Sequence, residues 1–129
     1  MKRFYILVLL IIVFGCSKEP SPELLQGKWK IKQSYLMNEV YEGNGSYLEF
    51  LSCDSAWCQG IDYSGEDNTT GTFDWSLDAS KKLLYINDTL SDGGGYNGTW
   101  EILSITNKRL RIKTNTGLFG DITILFKKQ

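Results

Sequence analysis

From residue 28 onward, the chain is a succession of short segments in which apolar and polar residues alternate, separated by turns rich in Gly, Asn, Asp and Ser. Alternation with a period of two is typical of strands that bury one face. Eight strands are predicted, over residues 28–36, 46–53, 57–63, 70–77, 82–87, 98–105, 108–114 and 121–127. Because no helical segment separates them, we expect an all-β antiparallel meander. Closing it into an eight-stranded up-and-down barrel removes the exposed sheet edges.

The side chains expected to face the barrel interior are mostly aromatic. In the first strand, the alternation places Gln33 and Tyr35 on the same face as Trp29. A barrel of eight strands either fills its interior with side chains or holds one small ligand, and the short strands favour filling. If a cavity exists, the candidate ligand contacts are Gln33, Phe73, Trp75, Tyr85 and Trp100. Gln33 is the polar residue in this set, and a buried amide needs a hydrogen-bond partner.

The N-terminus has the pattern of a secretory signal peptide. Two positive charges, Lys2 and Arg3, precede an apolar run over residues 4–14, which ends at Gly15 and Cys16. The run is too short for a transmembrane helix, which needs about 20 residues. A cysteine directly after a small residue resembles the leader of a bacterial lipoprotein. The resemblance implies that residues 1–15 are removed as a signal peptide and that acyl chains on Cys16 anchor the protein to a membrane.

Three segments follow from this interpretation: the signal peptide over residues 1–15, a lipid-anchored linker over 16–23 and a barrel domain over 24–129. The linker is polar and contains Pro20 and Pro22, a composition typical of a spacer. The lipoprotein resemblance implies a location in the bacterial cell envelope. The absence of an Asp directly after Cys16 favours the outer membrane.

Cys53 and Cys58 are the two cysteines that remain after Cys16 is acylated. An even pair in an exported protein favours a structural disulfide. The alternatives are a redox pair, which normally has closer spacing at a helix N-terminus, and half a metal site. The chain has no histidine and no third cysteine after the leader, so the disulfide is the favoured interpretation.

Charge and composition argue against two classes of function. With 14 basic and 15 acidic residues and no basic stripe, the chain does not resemble a nucleic-acid-binding protein. The absence of histidine removes the commonest general base and the usual zinc ligand. We therefore expect a noncatalytic protein with no cofactor and no metal site. Asp62, Glu66 and Asp67 are interpreted as a solvated turn, with a calcium site as the less favoured alternative.

Four short motifs recur in a known family. They are Leu25-Gln26-Gly27-Lys28-Trp29, Gly71-Thr72-Phe73-Asp74-Trp75, Trp100-Glu101-Ile102 and Phe126-Lys127. With the leader and the eight strands, they resemble the small lipocalin-like lipoproteins of Gram-negative bacteria. The resemblance implies that Trp29, two residues after Gly27, closes the barrel floor. It also implies that a basic residue, Arg111 or Lys127, crosses the indole ring in a cation–π contact.

Two functions are consistent with these features. The first is a lipid-anchored envelope protein that binds a small apolar ligand in the barrel. The second is a packed barrel that binds an envelope protein as an inhibitor or accessory subunit. In the second case the contact is Trp57, since an aromatic residue on a stapled loop is a good interface anchor. Alternatively, Trp57 folds over one barrel mouth as a lid.

Overall fold

The computed structural model describes residues 18–88, 96–118 and 120–129. Within these ranges the elements are α1 (Pro22–Leu25), β1 (Gly27–Leu36), β2 (Glu39–Glu42), β3 (Tyr47–Phe50), β4 (Cys58–Ser64), β5 (Thr69–Asp78), β6 (Leu83–Asn87), β7 (Gly98–Ile105), β8 (Arg109–Asn115) and β9 (Asp121–Lys128). The predicted signal peptide and its helix, together with Cys16, lie outside the described residues. In the part of the chain described, no helix is long and apolar enough to span a membrane.

The sheet closes on itself. Neighbouring strands pair antiparallel in the order β1-β3-β4-β5-β6-β7-β8-β9, and β9 pairs back with β1. The prediction of an all-β, eight-stranded up-and-down barrel is therefore confirmed. We call the end with α1, the β3–β4 loop and the β5–β6 and β7–β8 turns the closed end. The opposite end, with the β1–β2 and β8–β9 turns, is the open end.

The second predicted strand differs most from the structure. Residues 46–53 were expected to form one strand, but only residues 47–50 do so, as β3, and β2 before them was not predicted. β3 pairs with the closed-end half of β1 and β2 with its open-end half. Met37 and Asn38, with φ of 52° and 65°, form the two-residue turn before β2. Positive φ at both positions gives the twist that a tight hairpin needs, but Met-Asn is not a typical sequence for it.

A β-bulge in β1 reverses the predicted faces of its open-end half. The register with β9 shifts between Ile31 and Gln33, so that Ser34 lies opposite the buried Ile124. Directly opposed residues point to the same side of a sheet, so Ser34 faces the interior. Gln33 and Tyr35 therefore face the exterior, and the prediction that they face the interior is wrong. One extra residue in one strand is enough to exchange the two faces.

The core fills the closed-end half of the barrel. Its largest fully buried side chains are Trp29, Trp75, Trp100, Phe50, Phe126, Leu25, Leu48, Leu84, Ile105, Leu110 and Ile112. The helix α1 places Leu25 across the floor of this core, and Ser21 caps its N-terminus by accepting a hydrogen bond from the Leu24 amide at 3.1 Å. Any site open to a ligand must therefore lie towards the other end.

Candidate binding site at the open end

The barrel floor is built around Trp29. Its indole N–H donates a hydrogen bond to the Leu25 carbonyl at 2.7 Å, and its side chain is fully buried. The Lys128 ammonium lies 5.0 Å from the centre of the ring and donates to the Leu24 carbonyl at 3.4 Å. A Cβ at Gly27 would lie 2.7 Å from Cε of Lys128, so the glycine leaves room for the lysine to cross the floor.

The cation at the floor is Lys128, and the predicted candidates Arg111 and Lys127 are wrong. Lys127 lies opposite Lys30, and Arg111 lies opposite Leu125, both on the barrel exterior. Strand β9 runs one residue beyond its predicted end, and the alternation that buries Phe126 also points Lys128 inward.

Three of the predicted ligand contacts lie in the packed core. The exposed fraction is 3% for Phe73 and 0% for Trp75 and Trp100. The Trp75 indole donates to the Gln59 carbonyl at 2.9 Å, and the Trp100 indole donates to the Tyr96 carbonyl at 2.8 Å. Both indole N–H groups already have acceptors within the protein. These three residues therefore form the packed layer beneath a site and do not line it.

The other two predicted contacts lie outside the barrel. Tyr85 is in register with Ser76 and Thr99, on the face opposite the buried Leu84 and Ile86. The Gln33 amide donates to Glu42 at 3.0 Å. Its carbonyl oxygen accepts a hydrogen bond from the Tyr35 hydroxyl at 2.7 Å. Neither Gln33 nor Tyr85 can therefore contact a ligand held inside the barrel.

The interior becomes polar above the core, at Asp62. This residue lies opposite the buried Leu48 on one side and Gly71 on the other, so its side chain points inward. A Cβ at Gly71 would lie 2.5 Å from Asp62 Oδ1, so the glycine makes room for the carboxyl group. Among the described residues, Oδ1 of Asp62 is the buried side-chain oxygen that lacks a hydrogen-bond partner. An unsatisfied buried acceptor is costly, which makes it a marker of a functional position.

A second carboxyl group lies against the first. Asp88, 5% exposed, follows β6, and its charge acts on Asp62. Burial raises the pKa of Asp62 above 3.8, and the charge of Asp88 raises it further, whereas the backbone N–H groups of Asp62 and Gly71 lower it. Burial and a neighbouring carboxylate both favour the neutral form of a carboxyl group. Burial, together with Asp62, also raises the pKa of Tyr96 to about 12, so its phenol stays neutral.

Apolar side chains are exposed around the open end. Met37 is 66% exposed on the β1–β2 turn and Leu118 is 91% exposed on the β8–β9 turn, with Val40 and Tyr41 exposed on β2. A groove of about 600 Å³ runs between the two turns, lined by Tyr35, Leu36, Met37, Asn38, Gly120, Asp121 and Thr123. The rim of the open end is therefore apolar, and the groove lies along it.

No family model matches the chain, and no curated protein sequence matches it. Two solved structures are similar in fold. Japanin from Rhipicephalus appendiculatus, bound to cholesterol, has a TM-score of 0.63 at 13% identity, over 84% of this chain and 78% of that chain. A lipocalin-like protein from Bacteroides uniformis has a TM-score of 0.58 at 14% identity, over 82% of this chain and 99% of that chain. The fold is lipocalin-like.

At the closed end of this lipocalin-like barrel, Cys53 and Cys58 form the predicted disulfide, with their Cα atoms 5.2 Å apart. The bond links the two sides of the β3–β4 loop, on which Trp57 is 51% exposed. Trp57 lines a shallow groove of about 290 Å³, together with Leu51 of the same loop and Gln59 of β4. Because this loop is at the closed end, Trp57 does not cover the open end of the lipocalin-like barrel.

Sequence reasoning interpreted Asp62 as part of an acidic turn and missed its place in the lipocalin-like barrel. Glu66 and Asp67 are exposed on the β4–β5 turn, whereas Asp62 is inside. No three metal-ligating side chains come together in the described ranges. The signal that could have revealed the position is the alternation Cys58, Gly60, Asp62, which places all three on one face.

Proposed function

We propose that this chain is a noncatalytic, lipid-anchored protein of the bacterial cell envelope whose barrel binds a small apolar ligand at its open end. The observation that carries the proposal is the buried Oδ1 of Asp62 above the aromatic core, which has no hydrogen-bond partner among the described residues. A ligand that donates a hydrogen bond to this oxygen would remove the cost of leaving it unsatisfied. The ligand is therefore an apolar molecule with a hydroxyl or amine group.

The difference between the two halves of the barrel interior supports a ligand site at the open end. The closed-end half is filled by aromatic side chains, so that a ligand cannot enter it without displacing the core. The open-end half presents Leu36 and Ile122, which lie opposite each other on β1 and β9, and the exposed rim adds Met37 and Leu118. Pockets of this kind, apolar with a few polar groups that fix orientation, are typical of small-molecule sites. The cholesterol bound to japanin supports an apolar ligand for this fold.

The position of the N-terminus supports the lipid anchor. Lys18, the first described residue, lies at the closed end, where its amide donates to the Ile105 carbonyl at 2.8 Å. An acylated Cys16 would therefore hold the barrel by its closed end and leave the open end accessible. The chain has no histidine, and the described interior carries carboxyl and phenol groups without an adjacent nucleophile and base, which favours binding over catalysis.

Two experiments test the two parts of the proposal. Anchoring predicts that the precursor, expressed in bacteria with labelled palmitate, carries the label in its membrane fraction and that Cys16→Ala abolishes it. Equal labelling of both proteins would contradict the anchor. Ligand binding predicts that the chain from Ser17, purified from a bacterial host, carries a small-molecule adduct in native mass spectrometry that is lost on denaturation. A protein without adduct from any host would contradict the binding barrel.

A further inference from the structure

We propose that the closed end of the barrel is a membrane-contacting surface. Trp57 enters the interfacial layer of the lipid, and a closed-end basic patch, defined as Lys18, Lys108, Arg109 and Lys127, binds anionic phospholipid headgroups. The inference rests on the anchoring at Cys16 proposed above. It adds an orientation, with the closed end on the membrane and the open end directed away from it.

The chain between Cys16 and the barrel is too short to lift the domain off the membrane. Two hydrogen bonds hold Lys18 on the barrel. Its backbone amide donates to the Ile105 carbonyl, and its ammonium donates to Asn107 Oδ1 at 3.1 Å. One residue, Ser17, separates Lys18 from Cys16. An extended residue spans at most about 3.6 Å, so the acylated Cys16 lies within roughly 7 Å of Lys18. The acyl chains therefore hold the closed end at the level of the headgroups.

The charge at this end fits an anionic surface. A groove of about 450 Å³ next to the N-terminus is lined by Lys18, Thr106, Asn107, Lys108 and Arg109. On the barrel wall, Arg109 lies opposite Lys127, and Lys127 lies opposite Lys30, so three cations stand side by side across β8, β9 and β1. Like charges directly opposed repel each other. In the described ranges the ion pair found is Lys113–Glu101, which does not involve the patch. Anionic headgroups would provide the missing counter-charge.

Trp57 is the apolar component of this surface. The other three tryptophans are fully buried, whereas Trp57 is 51% exposed, and Leu51 beside it is 36% exposed. Tryptophan is enriched at the membrane–water interface because its ring is apolar and its indole N–H is polar. The Cys53–Cys58 disulfide holds the loop in place, so little conformational entropy is lost on insertion.

The acidic residues fix the direction of the barrel. Exposed carboxylates at the open end include Glu39, Glu66, Asp67 and Asp121. An anionic membrane would repel that end. Glu19, Glu23 and Asp54 at the closed end weaken the attraction there, so the patch alone binds a membrane weakly and the acyl anchor strengthens the binding.

The first test follows Trp57 in a tethered protein. With Cys53 and Cys58 oxidised, the chain from Cys16 has one free thiol, which can be coupled to a maleimide lipid in vesicles of phosphatidylcholine and phosphatidylglycerol. This coupling supplies the anchor whatever a host cell does with Cys16, so failure here is distinct from failure of the proposed lipidation. We expect brominated lipid to quench Trp57 emission and the membrane to protect it from acrylamide, with Trp57→Phe removing both effects. Trp57 emission that acrylamide still quenches would overturn the proposal and favour a protein partner for this loop.

The second test measures the basic patch with a matched control. In vesicle sedimentation, the double variant Lys108→Gln/Arg109→Gln of the chain from Ser17 should lose roughly twentyfold in partition coefficient, because each cation near an anionic surface contributes about fivefold. The control Lys32→Gln/Lys113→Gln removes the same charge from positions further from the closed end. It should change the partition coefficient little. Added salt should reduce the binding of the unmodified chain. Equal losses in both variants, or binding independent of phosphatidylglycerol, would overturn the role of the patch.

Discussion

Asp62 lies close enough to Asp88 inside the barrel for the charge of Asp88 to raise its pKa, and Oδ1 of Asp62 has no hydrogen-bond partner among the described residues. The pair lies directly above a core in which every indole N–H has a hydrogen-bond acceptor. The polar layer is thus the place where the interior is incomplete. Filling it with a hydrogen-bond donor is the function that this geometry favours.

Asp62→Asn should make the protein more stable near neutral pH. The pKa of Asp62 is raised in the folded state, so the folded protein holds its proton more tightly than the unfolded chain does. Stability from this group is therefore fully present below pH 3.8 and is lost as the pH rises towards the folded pKa. Urea denaturation from pH 3 upward should show a decline in the unfolding free energy that Asp62→Asn lacks. A parallel decline in both proteins would show that the raised pKa of Asp62 is not the cause of the pH dependence.

Lys128→Met should lower the unfolding free energy by about 1 kcal/mol, because it removes the cation over Trp29. The matched control is Lys127→Met, which changes an exposed neighbour on the same strand and should change the stability by less than about 0.5 kcal/mol. Urea denaturation of both variants measures the difference. If Lys127→Met lowers the unfolding free energy as much as Lys128→Met does, the cation–π contact does not stabilise the barrel floor.

Gly60→Ala should destabilise the barrel by about 1–3 kcal/mol through overpacking. A Cβ at Gly60 would lie 2.2 Å from Cζ of Phe73, whose ring covers the glycine. The double variant Gly60→Ala/Phe73→Leu relieves the contact. Its loss of unfolding free energy should therefore be smaller than the sum of the losses in the two single variants. Additive losses, measured by thermal denaturation, would mean that the ring does not press on this position.

Replacing Cys53 and Cys58 by Ser should cost about 2 kcal/mol, as the chain-entropy model gives for so short a loop. Cys58 is buried in the core and Cys53 packs against it, but the remaining core is unchanged, so the barrel should still fold. Circular dichroism checks the fold and urea denaturation the loss. Complete unfolding of the double variant would show that the loop contributes more to the barrel than its disulfide.

The alternation of residue types was enough to predict the barrel, because most apolar residues of strands such as β8 and β9 lie on the buried face and most charged residues on the other. Leu110 and Ile112 point inward, and Arg109 and Arg111 point outward, as the pattern requires. The same pattern contained the position of Lys128, since Phe126 and Lys128 differ by two residues.

The bulge in β1 could not be predicted in this way. Gln33 and Tyr35 are amphipathic, so their types fit either face of the sheet, and an extra residue leaves no mark in the pattern. The register became visible only from the pairing of Ser34 with Ile124. Asp88 was missed for a different reason: it follows β6, beyond the alternating segment, and its contact with Asp62 depends on closure of the barrel.

The measurement that tests the central claim most directly is native mass spectrometry of three versions of the chain from Ser17: the unmodified protein, Asp62→Leu and Asp74→Leu. Leucine is similar in size to aspartate but has no hydrogen-bond acceptor. Asp74 lies on the neighbouring strand opposite Gln59 and Asn87, on the exterior, so its variant is the matched control. The account predicts a small-molecule adduct on the unmodified protein and on Asp74→Leu, and a strongly reduced adduct on Asp62→Leu. An adduct of equal occupancy on all three proteins, or on none, would contradict a binding site at Asp62.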